Sequence, residues 1–495
     1  MAADTLKRIG DKICQDYLGF NPTSNSTKPP HIANGLFRAC IGETCDTRDV
    51  HEWVISDGRK DAIPSEKIVS DYACILEKGE QEKPANIKQL RYFLGEIFNQ
   101  DNTLYPQYDF SVMDISSHWM IKGRLNSEAR IGDFIFEILA KELNGKRSPA
   151  ISLLQDALSN DSDDLTKLIK PILTAPSDKE KRSIHGIQYP EDSEVRWDSC
   201  KERLRNGFDR LADNIIATGE NRNSLLVMRR IINFAMFSTF IYLTQGNAAA
   251  YGGSNPPILL DAGADLESIK KASEQAYTLA KKTVEDFFIN SIDVTLKEEI
   301  PSDTVDECQR WIDSMVFSSV NREESIRKAV KSYYDSFIGE DGSPRLALSR
   351  ALQIALYTFE YKNNSPSAFC RVLGVRCGLI GPRGNRANIK RYLRYLINSF
   401  TLETVTLSAL SKDDLEDGIE LKELSEKLVS AYNILIGSDA ETEYSILETY
   451  NIAQSTPGDL RGDLSINSQA IANTYISLGM GKRYADGVTL IGWRL

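Results

Sequence analysis

Apolar side chains recur at helical spacing through most of this 495-residue chain. In Ala129–Gly145 the positions Ile131, Phe134, Ile138 and Leu139 fall on one face, with Gly145 just past the end. The same period marks Asn86–Gln100, Ser199–Gly219 and Ala264–Ile292, each predicted as a helix. Ile231–Leu243 is apolar nearly all round. It is shorter than the roughly 20 residues a membrane span needs and contains Asn233, Ser238 and Thr239, so a buried helix is expected. One strand-like run, Pro256–Asp265, interrupts the helical middle. No solenoid period and no sustained heptad is present.

The pattern predicts a mainly α, multi-domain helical protein ending in a winged helix-turn-helix. Residues 1–158 read as a mixed, mostly helical domain, with turn chemistry in Asn21–Gly35. Residues 159–189 form a polar linker or excursion, and 190–396 a helical middle domain. The last part, 397–495, carries the winged-helix order. A first helix, Leu402–Leu410, is followed by the acidic turn Ser411–Gly418 and a short strand at Gly418–Leu421. A second helix from Leu421 places Leu421, Leu424, Leu428 and Leu435 on one stripe. After an insert, Gly437–Leu464, Asn467 is expected to cap a third helix that Gly479 stops. Ile471, Tyr475 and Leu478 face inward, and a tight hairpin turns at Asp486-Gly487, where positive φ is tolerated. A helical end of another kind, finished by a hairpin, is the alternative.

Charge changes the picture in one place. The chain holds 70 acidic against 59 basic residues, a net charge of −11, which disfavours indiscriminate coating of nucleic acid. Yet 361–402 contains no Asp or Glu while Lys362, Arg371, Arg376, Arg383, Arg386, Lys390, Arg391 and Arg394 supply eight positive charges. Helical periodicity would bury Ile389, Leu393, Leu396 and Ile397 and turn Lys390, Arg391 and Arg394 outward. The two glycines of "GPRGNR" permit close approach to a phosphate. In the terminal module, Gln469 and Asn473 point away from the apolar face and suit adenine, and Lys482 and Arg483 lie at the hairpin base within reach of a phosphate. The third helix has no cation beside them, so a protein-binding role for the module stands next to DNA contact. A solvated basic face, or one paired with Asp413–Asp417 or an acidic partner, is the alternative for the island.

Other chemistry finds little support. Eight cysteines without a CxxC pair fit reduced thiols, and the start lacks a signal-peptide core, so a cytoplasmic protein with no membrane contact is expected. Cys40, Cys45 and His51, with His31 upstream, could supply metal ligands but match no common zinc spacing, and the two cysteines are read as a pair of ordinary half-buried thiols. "GMGKR" lacks the spacing and hydroxyl of a phosphate loop, and no cofactor is expected. Asp261 and Asp265, on either side of Gly263, are the one candidate metal or phosphate pair. The competing reading is a turn made by Asp261 and Gly263, followed by a helix cap at Asp265.

Three stretches, "NPPILLDAGADLESIKKASEQAY", "SPSAFCRVLGVRCGLIGPRG" and "LGMGKRYADGVTLIG", together resemble helical accessory proteins encoded beside helicases or other ATPases in bacterial anti-phage DNA-defence loci. The resemblance covers about 256–495 and transfers no catalytic residue. It implies a non-catalytic subunit of a DNA-directed assembly, with DNA and other subunits, including an ATPase or helicase, as partners. The expected function is therefore DNA engagement or partner docking within such a complex. A purely protein-binding scaffold is the alternative, and a metal-dependent phosphodiesterase or nuclease using Asp261 and Asp265 comes third.

Overall fold

The computed structural model describes residues 4–22, 29–41, 70, 89–92, 130–158, 197–246, 255–317, 320–340, 342–361, 365–382, 392–456 and 458–493. The N-terminal helices are α1 (Thr5–Ile13), α2 (Pro29–Ile41), α3 (Ile131–Ala140) and α4 (Pro149–Leu158). They are followed by α5 (Ser199–Thr218) and α6 (Ser224–Ile241). The middle continues with β1 (Ile258–Leu259), α7 (Glu267–Glu299), α8 (Val305–Ser314), α9 (Val320–Phe337), α10 (Pro344–Ala355) and α11 (Pro366–Cys377). The protein is mainly α-helical. The linker expected at 159–189 lies outside the described residues, as does most of the helix expected over Asn86–Gln100, of which 89–92 is helical.

α6 is the axis of the fold. Every residue from Arg230 to Ile241 is buried, and α2, α3, α4, α5 and α11 pack around it. Among the described residues, α6 with its following turn, Ser224–Gly246, is the one segment long and apolar enough to cross a membrane, and it lies inside the core. Asn233 ties it to a neighbouring helix, its Nδ2 donating to Cys377 O at 2.8 Å. Gly132 on α3 lets that helix cross α2 closely, since a Cβ there would sit 2.3 Å from Leu36 N. α7 runs about 50 Å at 1.5 Å per residue. Its C-terminal end meets α1, and its N-terminal end meets the last part of the chain.

That last part contains α12 (Ser399–Ala409), α13 (Lys412–Asp417), β2 (Ile419–Glu420), α14 (Leu421–Tyr432) and β3 (Ile434–Leu435). It continues through α15 (Ala440–Thr449), α16 (Ile452–Ser455), α17 (Leu460–Ser477), β4 (Gly481–Arg483) and β5 (Thr489–Ile491). β5 lies between β2 and β4 in an antiparallel sheet, with Ile419 opposite Ile491 and Arg483 opposite Thr489. β1 pairs in parallel with β3, Ile258 against Ile434. One continuous apolar cluster runs from Leu6 to Ile491 and crosses position 396/397 without a break. α5 adds polar ties: Arg203 donates to Ala431 O at 3.1 Å, Arg210 to Ala409 O at 3.0 Å, and Asn214 to Leu407 O at 2.7 Å. These carbonyls sit in the last turns of α14 and α12, where backbone acceptors lack helical partners.

Several expectations hold closely. Helix Ser199–Thr218 ends at Gly219 in the left-handed conformation, and α12 and α14 lie where the pattern placed them. Others are corrected. The "acidic turn" is the short helix α13, nucleated by a capping box between Ser411 and Asp414. The α14 stripe stops before Leu435, because Asn433 takes positive φ and Leu435 enters β3. Asn467 is not a cap. α17 begins at Leu460 behind Asp459, whose carboxylate accepts from Gly462 N, and Asn467 lies buried within the helix.

The helix expected across 389–397 is absent over its described part. Residues 393–398 are extended instead. Gly381 and Arg394 exchange both backbone hydrogen bonds, Asp261 N donates to Tyr395 O at 2.8 Å, and Tyr395 N donates to Ser273 Oγ at 2.9 Å. With four partners available across the core, an extended path satisfies this backbone as fully as a helix would, and it buries Tyr395 against Phe240 and Tyr277.

Candidate docking face of the C-terminal module

α17 carries the candidate face. Its inner stripe of Leu460, Leu464, Ile471 and Tyr475 is buried, and Tyr475 OH meets Thr406 Oγ1 at 2.6 Å. The opposite stripe holds Ile466, 49% exposed, with Gln469 and Asn473 also exposed as expected. The helix stops where Gly479, at φ +74°, lets Met480 N reach back to Tyr475 O at 3.0 Å.

The hairpin is longer than a two-residue turn. Tyr484 N donates to Val488 O at 2.9 Å and closes a loop of Ala485, Asp486 and Gly487, of which only Gly487 takes positive φ. A three-residue loop with glycine in the left-handed position keeps the strand twist. Asp486 contributes differently, its carboxylate accepting from Val488 N at 3.0 Å.

Both hairpin cations are exposed. Lys482 Nζ lies 5.3 Å from the Tyr484 ring centre. Arg483 donates through Nη2 to Asn473 Oδ1 at 3.0 Å and through Nε to Thr489 Oγ1 at 3.4 Å. Arg483 thus joins the hairpin to α17, and Asn473 is engaged by it. A groove of about 380 Å³ opens beside this contact, between α17, the hairpin and the start of α14. Glu420, Leu421, Lys422, Gln469, Arg483 and Val488 are among the residues that line it, and Lys422 pairs with Asp439 at 3.1 Å. Sequence reading missed Leu421 and Lys422. The pairing of Glu420 with Leu490 brings them there, and a strand directly abutting a helix was the available signal.

The basic island is divided. Arg383, Arg386, Lys390 and Arg391 lie outside the described residues, as does Lys362. Arg371 and Arg376 sit half-buried on α11. Arg394 is not an outward anion ligand. Its Nε donates to Asp261 Oδ2 at 2.5 Å, with the Asp261 side chain only 1% and the Arg394 side chain 13% exposed. The residue expected on a solvent-facing helix stripe is an internal clamp, because its segment is extended and faces β1.

The same contact removes Asp261 from metal duty. Its other oxygen accepts from Gly263 N at 2.7 Å, making the expected turn and leaving neither oxygen turned toward Asp265. Asp265 is exposed, takes φ +60° and pairs with Lys270, whose hydrogen bond holds its carboxyl below the usual range. It does not cap α7, whose first turn has no side-chain cap. Cys40 is buried on α2, and burial pushes its thiol well above the ordinary value. Cys45 and His51 lie outside the described residues, as does the side chain of His31. Among the described residues no three His, Cys, Asp or Glu side chains gather as a metal site.

Asn467 is the polar hub that sequence reading mistook for a cap. Its Oδ1 accepts from Ala262 N at 2.9 Å, and its Nδ2 donates to Leu260 O at 2.8 Å and Ile436 O at 3.3 Å. One amide thereby locks α17 to the ends of β1 and β3. No family model, curated protein or solved structure matches this chain.

Proposed function

We propose that the protein is a non-catalytic docking subunit of a DNA-directed assembly, of the kind that serves bacterial anti-phage defence. Its C-terminal module acts as a winged helix. Support comes above all from the order α12, β2, α14, α17 and the β4–β5 hairpin, with β5 between β2 and β4 and an uncharged outer stripe on α17. α15 and α16 occupy the insert between the second and third helices.

Charge assigns the two partners to different places. Residues 397–495 carry fifteen Asp and Glu against seven Lys and Arg, so this module repels a polyanion at a distance and suits a protein partner. DNA contact falls to Arg383, Arg386, Lys390 and Arg391, where no acid interrupts the run. A second reading, a scaffold that meets protein alone, is favoured by the internal pairing of Arg394.

Electrophoretic shift of a 30-base-pair duplex tests the first reading. With about four phosphate contacts, log affinity falls with a slope of roughly −3.6 against log salt. Replacing Arg383, Arg386, Lys390 and Arg391 together with alanine abolishes the shift. No shift by the unmodified protein at low salt leaves the scaffold reading in its place.

A further inference from the structure

We propose that Tyr392 is a stacking platform for a nucleic-acid base, so that the DNA engaged beside the basic run is single-stranded. The inference deepens the DNA-engaging reading and rests on it.

Tyr392 is 52% exposed, whereas Tyr395, three residues on, is fully buried. It follows Lys390 and Arg391 directly, and residues 383–391 hold four cations and no acid. Tyr484 is also exposed after two cations, but it belongs to the module in which acids outnumber bases fifteen to seven.

Exposure alone is ordinary for a tyrosine. What sets this one apart is how firmly its place is held. Arg394 Nη1 donates to Tyr392 O at 3.5 Å, and Arg394 is itself fixed by Asp261 and by the two backbone bonds it exchanges with Gly381. From α7, Lys271 places its Nζ 5.9 Å from the Tyr392 ring centre. A ring on an anchored backbone loses little freedom when a base lies against it. The cations around the ring add little pull of their own. Lys271 pairs with Glu274 at 3.3 Å, Lys270 with Asp265, and Arg394 with Asp261. Attraction for phosphate is thus left to the run, and contact with a base to the ring.

The form of the strand follows from which faces of a base are open. In a duplex each base lies between stacked neighbours, and a side chain reaches its face only by unstacking a step. A single strand offers its faces freely, and stacking on one aromatic side chain is worth about five- to 150-fold in affinity. Phosphate contacts are common to both forms, so the ring tips the choice toward the single strand.

Fluorescence anisotropy of a labelled 20-nucleotide oligothymidine and a labelled 20-base-pair duplex, titrated with the full-length protein, tests this. The oligothymidine should bind at least about fivefold more tightly than the duplex. Tyr392→Ala and Tyr392→Leu should each weaken the oligothymidine about tenfold and leave the duplex within about twofold, since leucine keeps apolar bulk without a π face. That loss should be equal at about 50 and 200 mM salt, because stacking releases no counterions. Tyr392→Trp should keep full affinity, and its fluorescence should fall on adding oligothymidine by more than that of the unmodified protein. The inference is overturned by a duplex bound as tightly as the single strand, or by unchanged oligothymidine affinity in Tyr392→Ala or Tyr392→Leu. Loss of affinity in Tyr392→Trp as well would mark a packing role and overturn it too. Any of these results with the salt-dependent duplex shift intact sinks the platform alone; no binding of either DNA sinks the reading beneath it as well.

Discussion

Arg394 and Arg483 look alike in the sequence, each followed directly by a tyrosine, yet the fold treats them oppositely. Arg394 is paired with a carboxylate that has almost no access to water. Arg483 stands exposed and is steered by two neutral oxygens. The first spends its charge on holding segment 392–398 against β1; the second keeps its charge for something outside. Membership of a locally basic run therefore does not by itself make a residue an anion ligand. What matters is whether a carboxylate of the same chain reaches the guanidinium first.

The strongest way to break this contrast is to remove Arg394. Arg394→Ala strands Asp261 in the interior, and losing one partner of a buried pair costs about 3–5 kcal/mol. Asp261→Ala together with Arg394→Ala should recover part of that loss, because no lone charge remains buried. Urea unfolding of the two variants measures the difference. If Arg394→Ala unfolds at the midpoint of the unmodified protein, the guanidinium is not clamped as described.

Asn467 sharpens the same contrast without any charge. Asn467→Ala leaves Ala262 N, Leu260 O and Ile436 O without their amide partner. Unsatisfied buried backbone groups cost about 1–3 kcal/mol in all when the site partly relaxes. Hydrogen exchange at Ala262 should quicken in step with exchange in α17. Acceleration confined to α17 would show that the helix is not locked through β1.

These two residues also mark the limit of what the sequence made legible. Helices with a clear inner stripe, such as α5 and α7, were readable because 3.6-residue periodicity follows directly from which face is buried. In 397–495 the helices α12 and α14 were readable for the same reason, whereas α13, α15 and α16 were not. Arg394 was not, since "KRYLRYLINSF" satisfies a helical period as well as an extended one, and the choice is made by Gly381, Asp261 and Ser273, all distant in the chain. Asn467 was misread because a cap and a buried clip use the same residue type, and only β1, some 200 residues earlier, distinguishes them. On the candidate face Arg483, Gln469 and Asn473 were found, whereas Lys422 and the groove needed the β2–β5 pairing to bring α14 alongside.

Between the two arginines lies an intermediate case, Arg8 with Glu299. The side chains are 44% and 28% exposed, Arg8 holds both carboxylate oxygens at 2.5 and 3.0 Å, and Trp311 Nε1 donates to the same group at 2.9 Å. Arg8's hydrogen bond is the main cause holding the Glu299 carboxyl below its ordinary value. A depressed carboxyl stabilises the fold above its unfolded value, about 4.3, and that contribution is lost as pH falls through the folded value. Solvent screening keeps it to about 0.2–1 kcal/mol. Trp311 fluorescence should therefore shift on acidification below about pH 4.3 in the unmodified protein, and Glu299→Gln should remove that step. A step of equal size in Glu299→Gln would detach the indole signal from this carboxylate.

Arg483→Gln closes the series with the smallest stability change. An exposed side chain away from caps and cores moves stability by no more than about 0.5 kcal/mol. Its two neutral contacts lose a charged donor, and the glutamine amide cannot span both Asn473 and Thr489, so the tie between hairpin and α17 slackens locally. The thermal midpoint should stay within about a degree or two of the unmodified protein, because a domain-sized chain shifts only about 2–4 °C per kcal/mol. A fall comparable with that of Arg394→Ala would mean that Arg483 is a second structural clamp. The contrast between a charge spent inside and a charge kept outside would then collapse.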